Sequence, residues 1–176
     1  SYAIHMGMLT DNPCRRVVVP KQEQEEKQIY TIDQVKILYE NLKNEPLKYQ
    51  VYLLLSIYSG FRRSEMLGLE WKDIDFRKHT IHVNRTSNYT MEKGMYTDTT
   101  KTEKSRRIIS IPPELCDLLT EYKAEQDAYI EGVGDKWQET DRLFTTWDGH
   151  PMHNNTTYNW LNSARKMIFR SGTFTP

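Results

Sequence analysis

The chain has 176 residues, 38% hydrophobic and 27% charged. That is enough to bury one proper core and fits a soluble globular protein. Its 24 Lys and Arg balance 24 Asp and Glu, so it lacks the overall basic excess of many nucleic-acid binders. No apolar run is long enough to span a membrane, and no basic segment followed by an apolar one marks a signal peptide. The two cysteines, Cys14 and Cys116, are far apart and in no metal-type spacing. The expectation is a reduced, cytoplasmic protein with no membrane partner.

Tyr2, Ala3, Met6 and Leu9 have partial helical spacing, which Thr10-Asp11-Asn12-Pro13 stops. Residues 14–29 are polar and extended and read as a linker. Residues 1–29 are therefore expected to be the end of a preceding domain plus a linker, with the main domain over 30–176. Thr31 and Gln34 fit a capping box, with Tyr30 and Val35 as a hydrophobic staple. Ile32, Val35, Leu38, Tyr39 and Leu42 then predict a helix to about residue 43. Residues 47–59 are apolar nearly all round, which predicts a buried helix.

Gly60 breaks that run, and Arg62-Arg63 opens a third helix to about Leu69, with Met66, Leu67 and Leu69 on its apolar side. A guanidinium at such a helix start is well placed to hold a phosphate, with the helix dipole and free N–H groups adding to the attraction.

Residues 72–78 are turn-rich, and 79–84 alternate as a strand with Ile81 and Val83 inward. Residues 106–111 predict a second strand, stopped by Pro112-Pro113, and a third is expected near Tyr89–Tyr96. Pro113 suits the first turn of a helix that reaches about residue 130 on Leu115, Leu118, Leu119, Tyr122 and Tyr129. Leu143-Phe144 is short and apolar. Asn154 or Asn155 can cap a last helix, with Tyr158, Leu161, Ala164 and Ile168 inward. The expected class is α+β, a mainly helical domain with a small antiparallel sheet.

Charge distribution matters more than its sum. Lys101, Lys104, Arg106 and Arg107 crowd seven residues that hold one acid, Glu103. A lysine at a hairpin tip ahead of a basic strand can reach a backbone phosphate, or act as a general acid toward a departing hydroxyl. The bland alternative is a solvated basic turn. His150 and His153 flank Pro151-Met152 with no acid or cysteine set nearby, so surface roles are expected rather than a metal pair.

Two boxes in order sharpen these readings. Ser59-Gly60-Phe61-Arg62-Arg63-Ser64-Glu65-Met66-Leu67-Gly68-Leu69-Glu70-Trp71 resembles the first box of the tyrosine recombinases, the phage integrase family. Thr100-Lys101-Thr102, followed by the basic-apolar strand to Pro112, resembles that family's lysine hairpin. Between them, Leu69-Glu70-Trp71-Lys72-Asp73-Ile74-Asp75 matches a further family stretch. The resemblance covers about residues 30–176 and makes residues 1–29 the last helix of a core-binding domain with its linker.

The resemblance implies that Arg62 is the first catalytic arginine, Lys101 the catalytic lysine, and Glu65 an acid that orients the arginine. Arg63, Lys104, Arg106 and Arg107 become contacts to DNA. It further implies strand cleavage by a tyrosine through a 3′-phosphotyrosyl link, with no metal or other cofactor. The partner is double-stranded DNA at attachment sites. The full-length protein is expected to be a tetramer on DNA, this chain alone a monomer, and excision to draw on an accessory factor.

One departure stands out. The family continues with a His-x-x-Arg box after threonine-proline, a later His or Trp, and the tyrosine, whereas this sequence ends at Thr175-Pro176. The 176 residues alone are expected not to cleave DNA. Two rival functions remain: a non-catalytic DNA-binding module gripping phosphates through the basic hairpin, and a helical interaction domain whose basic residues are only solvated.

Overall fold

A computed structural model describes residues 2–18, 30–99 and 107–170. The chain divides into two compact units, Ser1–Thr31 and Ile32–Pro176. In the first, helix α1 (Tyr2–His5) takes up only the start of the predicted stripe. A 3-10 turn follows at Pro13–Arg16, where the Asn12 side chain accepts from the Cys14 N–H at 3.1 Å. The residues read as a helix stop therefore serve as a cap.

The second unit begins with α2 (Ile32–Leu42) and α3 (Leu47–Ser59). Pro46 precedes α3, and Gly60 closes it in the left-handed region at φ 60°, a conformation that favours a residue without Cβ. The apolar run thus sets both ends of the helix. Burial is more selective than the run predicts. Val51, Leu53 and Leu55 are buried, while Ile57 and Tyr58 on the last turn are 59% and 58% exposed. On α2 only Leu42 is buried; Ile32, Val35 and Tyr39 lie open.

After α4 (Arg63–Met66) and a 3-10 turn at Trp71–Asp73 come, among the described residues, five strands: β1 (Ile74–Asp75), β2 (Thr80–Val83), β3 (Arg85–Thr90), β4 (Gly94–Thr99) and β5 (Arg107–Ser110). They form two sheets. One is antiparallel with order β1-β2-β5; the other is the β3-β4 hairpin. The region around 89–96 therefore supplies two arms of a separate hairpin instead of a third strand of the main sheet. That third strand is β1, whose two residues are too few to show a period. In the main sheet Ile81 faces Ile74 on one side and Ile109 on the other, and Val83 faces Arg107. Cross-strand partners share a face, so Ile81 and Val83 turn inward as their alternation predicts.

Helix α5 (Pro113–Val133) starts at the predicted proline and runs three residues past the predicted end. Helix α6 spans Asn154–Arg170. The core gathers Val51 and Leu55 of α3, Met66, Leu67 and Leu69, Ile74 and Ile81 of the sheet, and Leu115, Leu119 and Tyr122 of α5 around Phe144. Leu143 and Phe144 are fully buried. The Tyr122 hydroxyl donates to the Leu143 carbonyl at 2.6 Å, which satisfies a buried polar group.

The phase of α6 differs from the expected one. Tyr158 and Leu161 are 56% and 38% exposed, while Thr157 and Ala164 are buried. Trp160 stacks on Tyr49 with centroids 4.6 Å apart and donates its ring N–H to Glu45 at 2.8 Å. That large ring at position 160 sets the rotation of the helix, because its contact area outweighs the Tyr158/Leu161 stripe. The side chain of Ile168 lies outside the described residues. Tyr129 also lies outward on α5, edge-on to Trp137 at 6.3 Å.

Gly68 fixes how the hairpin meets the rest. A Cβ there would lie 2.9 Å from the Arg85 carbonyl oxygen and 3.1 Å from both Thr86 Cα and the Ser64 carbonyl oxygen. Only glycine lets β3 lie directly on the turn after α4.

Candidate active site

Arg62 stands at the N-cap of α4, two residues after the glycine that ends α3. Three residues on, Glu65 points back. Its Oε2 accepts from the Arg62 backbone N–H at 2.9 Å, and its Oε1 accepts from Arg62 Nη1 at 3.0 Å. The i,i+3 spacing on a helical turn makes this contact local. Helix α4 is a single turn, so it brings little dipole. The attraction for an anion expected of a helix start therefore falls to the Arg62 guanidinium.

Arg107 arrives from β5 on the other side. Its Nη1 donates to Glu65 Oε1 at 3.1 Å and its Nη2 to Oε2 at 2.8 Å. Each carboxylate oxygen thus takes one bond from residue 62 and one from residue 107. The Glu65 side chain is 3% exposed and that of Arg62 is 77% exposed. Burial pushes the Glu65 carboxyl up, but hydrogen bonds from Arg107 and Arg62 outweigh it and pull it down to about 2. The same bonds to Glu65 raise the Arg107 guanidinium above its ordinary value. The trio carries one net positive charge, presented to solvent by Arg62.

This carboxylate ties stability to acid pH. Its pKa is depressed, so its contribution is complete above the unfolded value of about 4.3 and is lost as pH falls through about 2. The shift corresponds to roughly 3 kcal/mol. Glu65→Gln is expected to flatten the fall in stability on acidification below about pH 4.5. Urea unfolding along a pH series measures it, and parallel profiles for wild type and variant would count against this linkage.

Arg63 is exposed on the same turn. Lys101, Lys104 and Arg106 lie outside the described residues, which resume at Arg107. The site contact that sequence alone does not give is Arg107 on Glu65, 42 residues away. The basic run made Arg107 look like a surface cation, and only the β2-β5 register turns it inward.

A second charged cluster buttresses this turn, also without a sequence signal. Arg142 is buried; it donates to the Gly68 carbonyl oxygen at 2.5 Å, to the Leu67 carbonyl oxygen at 3.4 Å and to Thr97 Oγ1 at 2.5 Å. Arg85 pairs with Asp73 and, at 2.9 Å, with Glu70. Glu70 also lies 3.7 Å from Arg142. Trp71 donates its ring N–H to Gln126 at 2.6 Å. These contacts lock the Leu69–Asp75 stretch to β3, β4 and α5. They also engage the Arg85 guanidinium.

His153 sits edge-on to Tyr89 at 4.6 Å, and His150 lies 3.9 Å from Asp148. Among the described residues no group of three His, Cys, Asp or Glu could hold a metal ion, and no helix is long and apolar enough to cross a membrane.

The phage integrase family model matches residues 28–176. The chain is 30% identical to the XerC-like tyrosine recombinase of Caldanaerobacter subterraneus subsp. tengcongensis, over 98% of this chain and 47% of that protein. It is 28% identical to the ICEBs1 integrase of Bacillus subtilis, over 75% of this chain and 36% of that protein. The chain thus spans about half or less of the length of these curated relatives. Among solved structures, the Tn1549 transposon integrase in complex with circular intermediate DNA superposes with a TM-score of 0.78 at 19% identity, over 99% of this chain and 58% of that one. At that identity the likeness is one of fold.

Proposed function

The chain belongs to the phage integrase family, and from that premise we propose that it supplies the Arg62 half of a DNA strand-transfer site in a phage or mobile-element integrase. The observation that carries this reading is the exposed Arg62 guanidinium, held at one corner by a carboxylate that Arg107 neutralises. Its remaining donors are open to a phosphate. In strand transfer an entering oxygen makes the scissile phosphate pentacoordinate and adds negative charge. Preorganised guanidinium donors lower that barrier without reorganising at the moment of reaction. Lys101, two residues beyond β4, is the proposed general acid toward the departing 5′-oxygen. Guanidinium and ammonium groups supply the charge neutralisation, so no metal cofactor is invoked.

Double-stranded DNA at attachment sites is the proposed partner. Arg63, Lys104 and Arg106 hold its phosphates by charge, which fixes register without reading bases. The nucleophilic tyrosine and the second arginine belong to a His-x-x-Arg-containing portion that has no counterpart after Lys101 in these 176 residues. The 176 residues alone are therefore proposed to be inactive. Residues 1–29 are the proposed end of a core-binding domain with its linker. The working protein is a cytoplasmic tetramer on two DNA sites, helped in excision by an accessory factor, and this chain alone is a monomer.

Full-length integrase containing this chain should be trapped covalently on a nicked duplex that carries the ends of its own element, and the 176-residue chain should not. Absence of any adduct with the full-length protein, or an adduct with the 176 residues, defeats the reading at the corresponding point.

A further inference from the structure

We infer that Arg107 is a positioning residue, which keeps Arg62 available for phosphate by occupying half of Glu65, and that it is not itself a DNA contact. The inference rests on the strand-transfer reading of Arg62.

A carboxylate prefers a bidentate guanidinium, two parallel N–H to O bonds. Glu65 has two candidates. It takes the bidentate pair from Arg107, at 3.1 and 2.8 Å, and a single side-chain bond from Arg62, at 3.0 Å. The fourth bond to the carboxylate comes from the Arg62 backbone N–H at 2.9 Å. Because Arg107 fills the fork, Arg62 cannot fold both terminal nitrogens onto Glu65. Its guanidinium stays extended and 77% exposed, tethered at one nitrogen.

The setting of Arg107 agrees with this role. It lies opposite Val83 on the inward face of the sheet, and its guanidinium sits 5.8 Å from the centre of the Phe61 ring. Phe61 immediately precedes Arg62, so Arg107 braces the turn at two points, the ring of 61 and the carboxylate of 65. Cation–π and charge-assisted contacts of this kind hold geometry more than they recruit partners. The end of the guanidinium that would grip a phosphate is already spent on Glu65.

Without Arg107, Glu65 is a buried carboxylate with one guanidinium left in reach. Both Arg62 nitrogens are then drawn inward. The phosphate loses a donor while the net charge of the cluster falls from plus one, for the trio, to zero, for the remaining pair.

The experiment uses the full-length integrase on nicked duplex DNA carrying the ends of its element. Single-turnover cleavage at saturating DNA and the slope of log Kd against log salt are measured for wild type, Arg107→Ala, Arg107→Lys, Glu65→Gln and Glu65→Gln/Arg107→Ala. Arg107→Ala is expected to slow cleavage by tenfold or more and to leave the salt slope unchanged. Arg107→Lys is expected to recover part of the rate. In the Glu65→Gln background, removal of Arg107 is expected to cost nothing further, because the carboxylate it occupies is gone. The double variant buries no unpaired charge, so it answers the question even if Arg107→Ala fails to fold. A phosphate contact behaves otherwise: the salt slope falls by about one unit and cleavage at saturating DNA is spared. That result, or a full Arg107→Ala penalty surviving in the Glu65→Gln background, overturns the inference. No covalent adduct with the wild-type protein sinks the strand-transfer reading instead, so the two failures are distinct.

Discussion

Arg62→Ala in the full-length integrase is expected to lower single-turnover DNA cleavage by about 10²–10³, the usual effect of deleting one preorganised donor to a developing oxyanion. The loss should fall on the chemical step. Arg62 is one of several cations proposed to meet DNA, so DNA affinity should change by no more than its single phosphate contact allows. Folding should be nearly unaffected. The side chain is 77% exposed and its removal leaves Glu65 with the bidentate Arg107 pair. The backbone bond from residue 62 to Glu65 also survives, since alanine keeps that N–H. Lys101→Ala should slow the same step on an ordinary phosphodiester. If both variants cleave at wild-type rate, Arg62 and Lys101 are not the reacting residues. Burst and single-turnover kinetics on saturating nicked duplex separate this outcome from weakened binding.

The largest effect on stability is expected at Arg142. Arg142→Ala removes a buried guanidinium that bonds the carbonyl oxygens of Leu67 and Gly68 and the Thr97 hydroxyl. Burial pulls the pKa of Arg142 down, and Glu70 opposes that pull. Deleting one member of such a cluster costs about 3–5 kcal/mol, because the remaining polar groups stay buried without partners. For a unit of this size that is a fall in Tm on the order of 10 °C. The damage should be directional. Arg142 joins the turn after α4 to β4, so hydrogen exchange should rise first in the β3-β4 hairpin and at residues 67–69. A change below about 1 kcal/mol in urea unfolding would show that this cluster is not a stabilising centre. An apolar substitute of similar length, Arg142→Met, should cost less than alanine, because it fills the space while leaving the same carbonyls unpaired.

Much of the fold is written in short-range signals. The apolar run from 47 to 59 with its closing Gly60 defines α3, and Pro113 marks the start of α5. The alternation over 79–84 places Ile81 and Val83 inward. Arg62 and Glu65 meet because they are three residues apart on one turn, so that contact follows from spacing alone. The signals fail where neighbours in sequence do not decide the outcome. In α6 the Tyr158/Leu161 stripe lost to Trp160, whose ring finds Tyr49 across the fold. The region near 89–96 shows no period because the arms of its hairpin are polar, and β1 is too short to show one.

The family resemblance, the limits of α3 and the one-turn spacing of Arg62 and Glu65 are legible in the chain itself, since propensity, capping and periodicity act within about one helical turn. That Arg107 turns in to Glu65, and that Arg142 is buried against the Gly68 carbonyl, appears only in the folded chain. Both depend on which strands pair, in what register, and how closely two backbones approach at a residue without a side chain. A guanidinium has the same formula in solvent and in a buried ion pair. Its partner, often dozens of residues away, decides whether it meets a phosphate or holds the residue that does.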